Sequence, residues 1–293
     1  MTPPAATPPP STTRYVVGVV VTVLAVLSQY FVPETIPSTL ILYGNLPGDL
    51  FVVYGIPVIS FALLIGAGPL RRWRARMGTA TWEGLRWYGG LSLLGLVITF
   101  VLLIVYILVD PSALGLLKNQ NPAITQAQSD PWLYVGLSFV VGAFEETIFR
   151  GWIFGYWMGR GGSWVGPAAW TSAVFAGVHL YYGTTYGAAS PLIFPTLFLL
   201  GFAFAATYRF SGGNLVLPAL LHGENDASAY LQLINGTAGL VLHYAVVLFG
   251  GLIALIAYLR SDTSPPASPT PAATAPYVPE PVPFSSPTPP GRE

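Results

Sequence analysis

The chain has 293 residues, 53% of them hydrophobic and only 8% charged, with a formal net charge of zero. A soluble domain carries roughly a quarter charged residues, so this chain lacks the polar surface to stay dissolved and belongs in a membrane, as its mean hydropathy of +0.60 also indicates. Neutral charge argues against a nucleic-acid partner, and the absence of cysteine excludes disulfides, thiolate metal sites and a cysteine nucleophile.

The chain opens on "MTPPAATPPPSTT", residues 1–13, a proline-rich stretch that cannot bury enough apolar surface to fold and reads as a disordered tail. The first apolar run starts at Arg14. It has no small-residue cleavage site before "SQYFVPE" and reads as an uncleaved span. Eight apolar segments follow one another, at roughly 15–32, 50–69, 88–109, 132–157, 164–182, 191–209, 214–234 and 238–259, each near the ~20 residues a bilayer needs. Ser190-Pro191 has the chemistry of a helix start, and Asn214 that of an N-cap. A second proline-rich tail fills 261–293. The expected fold is an all-α integral membrane protein, with about eight transmembrane helices over 14–260 bundled around a polar catalytic chamber.

Basic residues set the expected orientation. Arg71, Arg72, Arg74, Arg76 and Arg86 lie between the second and third segments, and Arg160, Arg209 and Arg260 fall on the same side, against Lys118 on the other. By the positive-inside rule this side is cytoplasmic. The expectation is a multi-pass protein of the cell membrane with both termini in the cytoplasm. Trp73, Trp82 and Trp87 among these arginines suit an aromatic belt at the interface.

Within the fourth segment stands "FEETIFRG", 144–151. An ionised side chain at mid-bilayer costs about 2.5–3.5 kcal/mol, so Glu145, Glu146 and Arg150 must face protein or a wet cavity. Glu146 and Arg150 are four apart in the favourable order for a helical pair. Glu145 is rotated by about 100° and remains available. A second polar intrusion, "FAGVH", carries Phe175 and His179. A third, "LHGENDAS", carries His222 and Asp226 on one helical face with Asn225 beside it. Glu224 points elsewhere and has no assigned role. His243 in the last segment reads as a packed histidine. Depth raises one conflict: His179 falls too near the outer face if its helix starts at Trp164, and fits better with a start at Pro167.

Carboxylates and imidazoles gathered from three segments suit water activation for hydrolysis, with histidines that bind a metal or stabilise an oxyanion. The forms E-E-x-x-x-R, F-x-x-x-H and H-x-x-x-[N/D], in this order, resemble the CPBP family of intramembrane proteases. That family includes type II CAAX prenyl endopeptidases and bacteriocin-immunity (Abi) proteins. The resemblance covers about 144–228. It implies hydrolysis of a peptide bond in a membrane-associated, prenylated protein or peptide, in a chamber open to the cytoplasm. It makes Glu145 the base, His179 its assistant, His222 and Asp226 the oxyanion pair, and Glu146 with Arg150 the support. Asp226 departs from the pattern's asparagine, since an ionised carboxylate cannot donate a hydrogen bond; Asn225 is the alternative donor. Zinc held by Glu145, His179 and His222 is the alternative to a metal-free Glu–His mechanism. A non-catalytic immunity protein of the Abi type and a proton-coupled transporter are the competing functions.

Overall fold

In the computed structural model the described residues are 11–31, 50–74, 79–109, 130–158, 160, 163–179 and 190–235, with isolated positions between 237 and 256. The two tails, Lys118 and His243 lie outside them. Helix α1 spans Thr12–Phe31. A short π turn, Phe51–Gly55, leads into α2, Ile56–Leu64, and a 3-10 segment follows at Gly68–Arg74. Helix α3 runs over Thr79–Val109. Helix α4, Pro131–Glu146, passes without a break into a π-helical stretch, Thr147–Phe154, and on into α5, Gly155–Met158. Helices α6, Val165–Val178, α7, Ser190–Phe210, and α8, Val216–Ile234, complete the order.

Local chemistry accounts for several boundaries. Asp130 caps α4 by accepting from the Leu133 amide at 3.1 Å, ahead of a first-turn proline. Asn214 accepts from the Val216 amide at 2.7 Å, so it closes a turn just ahead of α8 rather than standing at the cap position itself. Gly66 has φ of 106°, a left-handed conformation that favours glycine. The turn it makes aims its carbonyl at the Trp152 indole, which donates to it at 2.9 Å.

The expected bundle of about eight spans is not what the chain forms. Among the described residues only two helices are long and apolar enough to cross a membrane, Thr81–Val109 and Pro131–Met158. The reasons differ by segment. The helices at 51–64 and 165–178 are apolar but too short, and within α1 and α7 the apolar stretches among the described residues, 12–28 and 194–210, also fall short. Helix α8 has the length, but His222, Glu224, Asn225 and Asp226 remove its apolar character. The last expected segment is described only at scattered positions. What results is an all-α, membrane-associated fold. Helix α3 presents Leu94, Val97, Phe100, Val101, Ile104 and Leu108 outward, which suits contact with lipid tails.

The main core is built around the π stretch. Ile148, Phe149, Trp152, Ile153 and Tyr156 pack against Tyr15 and Val19 of α1, Phe61 of α2, and Val174, Phe175 and Val178 of α6. Tyr15 is a hub within it. Its hydroxyl accepts from the indoles of Trp157 at 3.0 Å and Trp170 at 2.9 Å, and its ring stacks on Tyr156 at 4.2 Å. Trp73 reaches from the arginine-bearing 3-10 segment and donates to Thr147 at 3.0 Å, so that segment docks on the π stretch.

Helices α4 and α8 form the most extensive pairing in the fold. Glycine makes it possible. A Cβ on Gly142 would stand 2.9 Å from the Gly223 nitrogen and 3.0 Å from the Ala219 carbonyl, and one on Gly223 would stand 2.7 Å from Phe139 Cα. Two backbones therefore touch beside His222. Gly142→Val should force them apart at a cost of about 1–3 kcal/mol. Thermal unfolding in detergent measures this as a lowered midpoint, whereas an unchanged midpoint would mean that the helices separate freely.

Candidate active site

Glu145 and Glu146 are the last residues of α4 before its ladder widens to π at Thr147. Such π stretches recur at functional sites, where they re-aim side chains. Despite the change of winding, the pair expected from spacing forms. Arg150 Nη1 donates to Glu146 Oε1 at 2.8 Å, with both side chains fully buried. Arg150 Nη2 donates to the Gly201 carbonyl of α7 at 2.8 Å, and the guanidinium lies 4.9 Å from the Phe175 ring and 5.1 Å from that of Phe204. A buried charge is tolerated only with partners of this kind.

Glu146 Oε1 has a second partner. His222 Nδ1 lies 2.8 Å away, and because a carboxylate only accepts, Nδ1 is the donor. His222 is stacked on Phe204 at 4.8 Å, with Phe175 edge-on at 5.8 Å. Its other nitrogen, Nε2, stands 3.7 Å from Glu145 Oε2 and 3.6 Å from Asp226 Oδ2. Burial opposes a charge on this ring, but the carboxylates of Asp226, Glu146 and Glu145 outweigh it and favour the doubly protonated form.

The two glutamates differ in what they meet. Glu145 Oε1 accepts from the Tyr54 hydroxyl at 3.0 Å. Glu145 Oε2 is buried with no hydrogen-bond partner among the described residues. Two imidazole nitrogens face it, His222 Nε2 and, at 3.9 Å, His179 Nε2. These separations are too long for direct hydrogen bonds. A water bridging Oε2 and an imidazole nitrogen at about 2.8 Å from each would need these buried atoms to part slightly.

His179 comes to this point from the end of a helix. Helix α6 starts at Val165, earlier than the Pro167 start that sequence favours, and stops at Val178 with His179 as its C-cap. Helix α6 has 14 residues, and its end brings His179 to within 3.9 Å of Glu145. His179 Nδ1 donates to the Phe175 carbonyl at 2.7 Å, one of the last carbonyls of the helix, which lack intrahelical donors. In the neutral ring this leaves the lone pair on Nε2, toward Glu145.

Asn225 Nδ2 donates to Asp226 Oδ1 at 3.3 Å. Asp226 thus accepts from the Asn225 amide through Oδ1, while its Oδ2 faces His222 Nε2 at 3.6 Å, beyond a direct hydrogen bond. All the site residues expected from sequence, Glu145, Glu146, Arg150, Phe175, His179, His222, Asn225 and Asp226, converge here. Glu224 lies outside the group, near the Tyr88 hydroxyl. Three participants had no sequence signal. Tyr54 is a tyrosine in an apolar run, the Gly201 carbonyl is backbone, and Phe204 reads as ordinary core. Tyr54 brings the first half of the chain to the site through its 3.0 Å hydrogen bond to Glu145.

Among the described residues no three His, Asp or Glu side chains are gathered into a metal-holding group. Ligands in a tetrahedral zinc shell at ~2.1 Å lie about 3.4 Å apart. Glu145 Oε2 would have to draw closer to His179 and His222 to share one ion.

Residues 127–228 match the family model described as Type II CAAX prenyl endopeptidase Rce1-like. The match spans about a third of the chain and contains all three motifs. The chain thus contains an Rce1-like domain of the CAAX-protease/CPBP type. With the buried His–Glu cluster, this supports a catalytic, protease-like role. Comparison with curated proteins and with solved structures gave no match.

Arg150→Leu should leave Glu146 as a buried carboxylate with half its partners gone. Breaking such a pair costs about 3–5 kcal/mol, read as a lower unfolding midpoint. Full stability in that variant would show the pair to be dispensable.

Proposed function

We propose, with the Rce1-like domain as premise, that the chain is an endopeptidase that hydrolyses a peptide bond in a membrane-associated substrate through water activated by Glu145. The observation that carries this reading is Glu145 Oε2, a buried carboxylate oxygen lacking a hydrogen-bond partner among the described residues and faced by two imidazole nitrogens. The family's description makes a prenylated CAAX-type peptide the first substrate to try.

In the proposed sequence a water sits between Glu145 Oε2 and His179 Nε2. Glu145 takes its proton as the water oxygen bonds to the scissile carbonyl carbon. The developing oxyanion is met by the Nε2–H of doubly protonated His222. Glu145 then returns the proton to the leaving nitrogen as the C–N bond breaks. Glu146 serves His222 by holding Nδ1, and Asp226 steadies the ring from the other side. Asp226 need not donate to the oxyanion, so its departure from asparagine is compatible with this scheme. We further place the chain in the cell membrane with both termini cytoplasmic, on the strength of the arginines between 71 and 86.

Glu145→Gln should lower turnover of a membrane-tethered peptide by at least about 100-fold, with the helical circular dichroism unchanged. Undiminished turnover would sink the mechanism and turn attention to a non-catalytic immunity role. Tyr54→Phe should leave Glu145 Oε1 without its donor and slow turnover by about 10-fold or more, the worth of a hydrogen bond to a charged group. The scheme runs without metal, so dialysis against a chelator should leave activity in place. Loss of activity on chelation, restored by zinc, would instead make Glu145, His179 and His222 metal ligands.

A further inference from the structure

The basic end of the fold has no part in the reaction proposed above. There the start of α3 lies against the end of α7. A Cβ on Gly84 would stand 3.0 Å from the Thr207 carbonyl, and the Trp87 ring stacks on Phe210 at 4.4 Å. Trp164, at the start of α6, meets Trp87 edge-on at 5.8 Å. Trp73, Met158 and Trp164 pack on one shared core that includes Phe154, Tyr208 and Leu215. The 3-10 segment, the starts of α3 and α6 and the ends of α5 and α7 are thus gathered together. Arg71, Arg72 and Arg74 lie on the segment, Arg86 on α3, Arg160 just past α5 and Arg209 in the last turn of α7. Among the described residues at this end Glu83 is the one acid, and it is already paired with Arg86 at 2.7 Å.

Two features make a lipid surface the occupant. The apolar stretch of α3 starts at Thr81 and that of the α4–α5 helix stops at Met158, so the two helices able to cross a membrane both end here. Leu70 and Trp82, 41% and 59% exposed, stand among the arginines along the chain. Apolar groups interleaved with basic ones suit headgroups and the acyl boundary beneath them. An acidic peptide would use the charges and leave these two side chains in water. The segment is also seated on the π stretch. Gly66 accepts from Trp152, Trp73 donates to Thr147, and a Cβ on Gly151 would stand 3.0 Å from Pro69 Cβ.

We propose that this end is a docking surface for anionic phospholipid headgroups, centred on Gly68–Arg74, and that headgroup contact holds the segment against the π stretch. The proposal rests on the membrane placement above and is independent of hydrolysis. Each basic residue near such a surface is worth about 5-fold in association.

The test uses the full-length chain in phosphatidylcholine vesicles containing spin-labelled phosphatidylglycerol or spin-labelled phosphatidylcholine. Electron spin resonance reads the fraction of each labelled lipid immobilised at the protein. At about 0.1 M salt the wild type should retain the anionic lipid about 5-fold or more over the zwitterionic one. At about 1 M salt, where the screening length falls to about 3 Å, most of that preference should vanish. Joint replacement Arg71→Gln, Arg72→Gln and Arg74→Gln should bring it close to parity, with the helical circular dichroism unchanged. Arg209→Gln, a single exposed change, should lower it part way, and serves if the triple variant fails to fold. Hydrogen exchange over 68–74 should slow when phosphatidylglycerol is added, in the wild type and in Glu145→Gln alike. Equal preference in the wild type and the arginine variants overturns the surface, as does exchange over 68–74 that ignores the lipid. An oligoglutamate peptide that slows this exchange where phosphatidylglycerol does not would make it a protein-docking surface instead. None of these readouts needs turnover, so a chain that cleaves nothing would leave the lipid surface standing.

Discussion

One carboxylate oxygen holds the site together. Glu146 Oε1 accepts from Arg150 within its own helix and from His222 across the α4–α8 interface, both at 2.8 Å. Arg150 extends the link to α7 through the Gly201 carbonyl and lies against Phe175 of α6. Four helices are thus fixed to one buried charge pair. Its value is geometric: desolvating ions is expensive, and a buried pair often contributes little net stability, yet it allows few other arrangements.

That fixed point makes two adjacent glutamates unlike each other. Glu146 is spent on holding its neighbours, and Glu145 keeps one oxygen unengaged among the described residues and facing imidazoles. Their difference follows from winding, because neighbours on a helix point about 100° apart. One faces Arg150 and the helices behind it, the other Tyr54 and the ends of His179 and His222. Phe175 and Phe204 lie against both the guanidinium and the His222 ring and so shield the charge pair from water.

Sequence made the chemistry legible and the architecture much less so. Charges in apolar runs are conspicuous because bilayers penalise them, and Glu145, Glu146, Arg150, His179, His222 and Asp226 could be singled out on that ground. Spacing also foretold the Glu146–Arg150 pair. Hydropathy, by contrast, reports how apolar a segment is and says little about where its helix stops. It therefore suggested about eight spans, where α6 ends at Val178 and α8 is polar at its middle. The π winding after Glu146 leaves no pattern in composition. Tyr54 and Phe204 escaped notice because an aromatic residue in an apolar run reads as packing, and only the fold brings it to a carboxylate or an imidazole.

The cluster at Tyr15 bears on how this protein is assembled. Trp157 and Trp170, whose indoles its hydroxyl accepts, lie 142 and 155 positions further along the chain. Helix α1 is made early and cannot complete its packing until α5 and α6 have been synthesised. At about 5–20 residues per second, synthesis of that interval takes on the order of ten seconds. During this time Tyr15, only 2% exposed in the finished fold, has neither tryptophan to meet. Closure of so long a loop is slow, and it is the step that seats the N-terminal helix against the π stretch carrying Arg150.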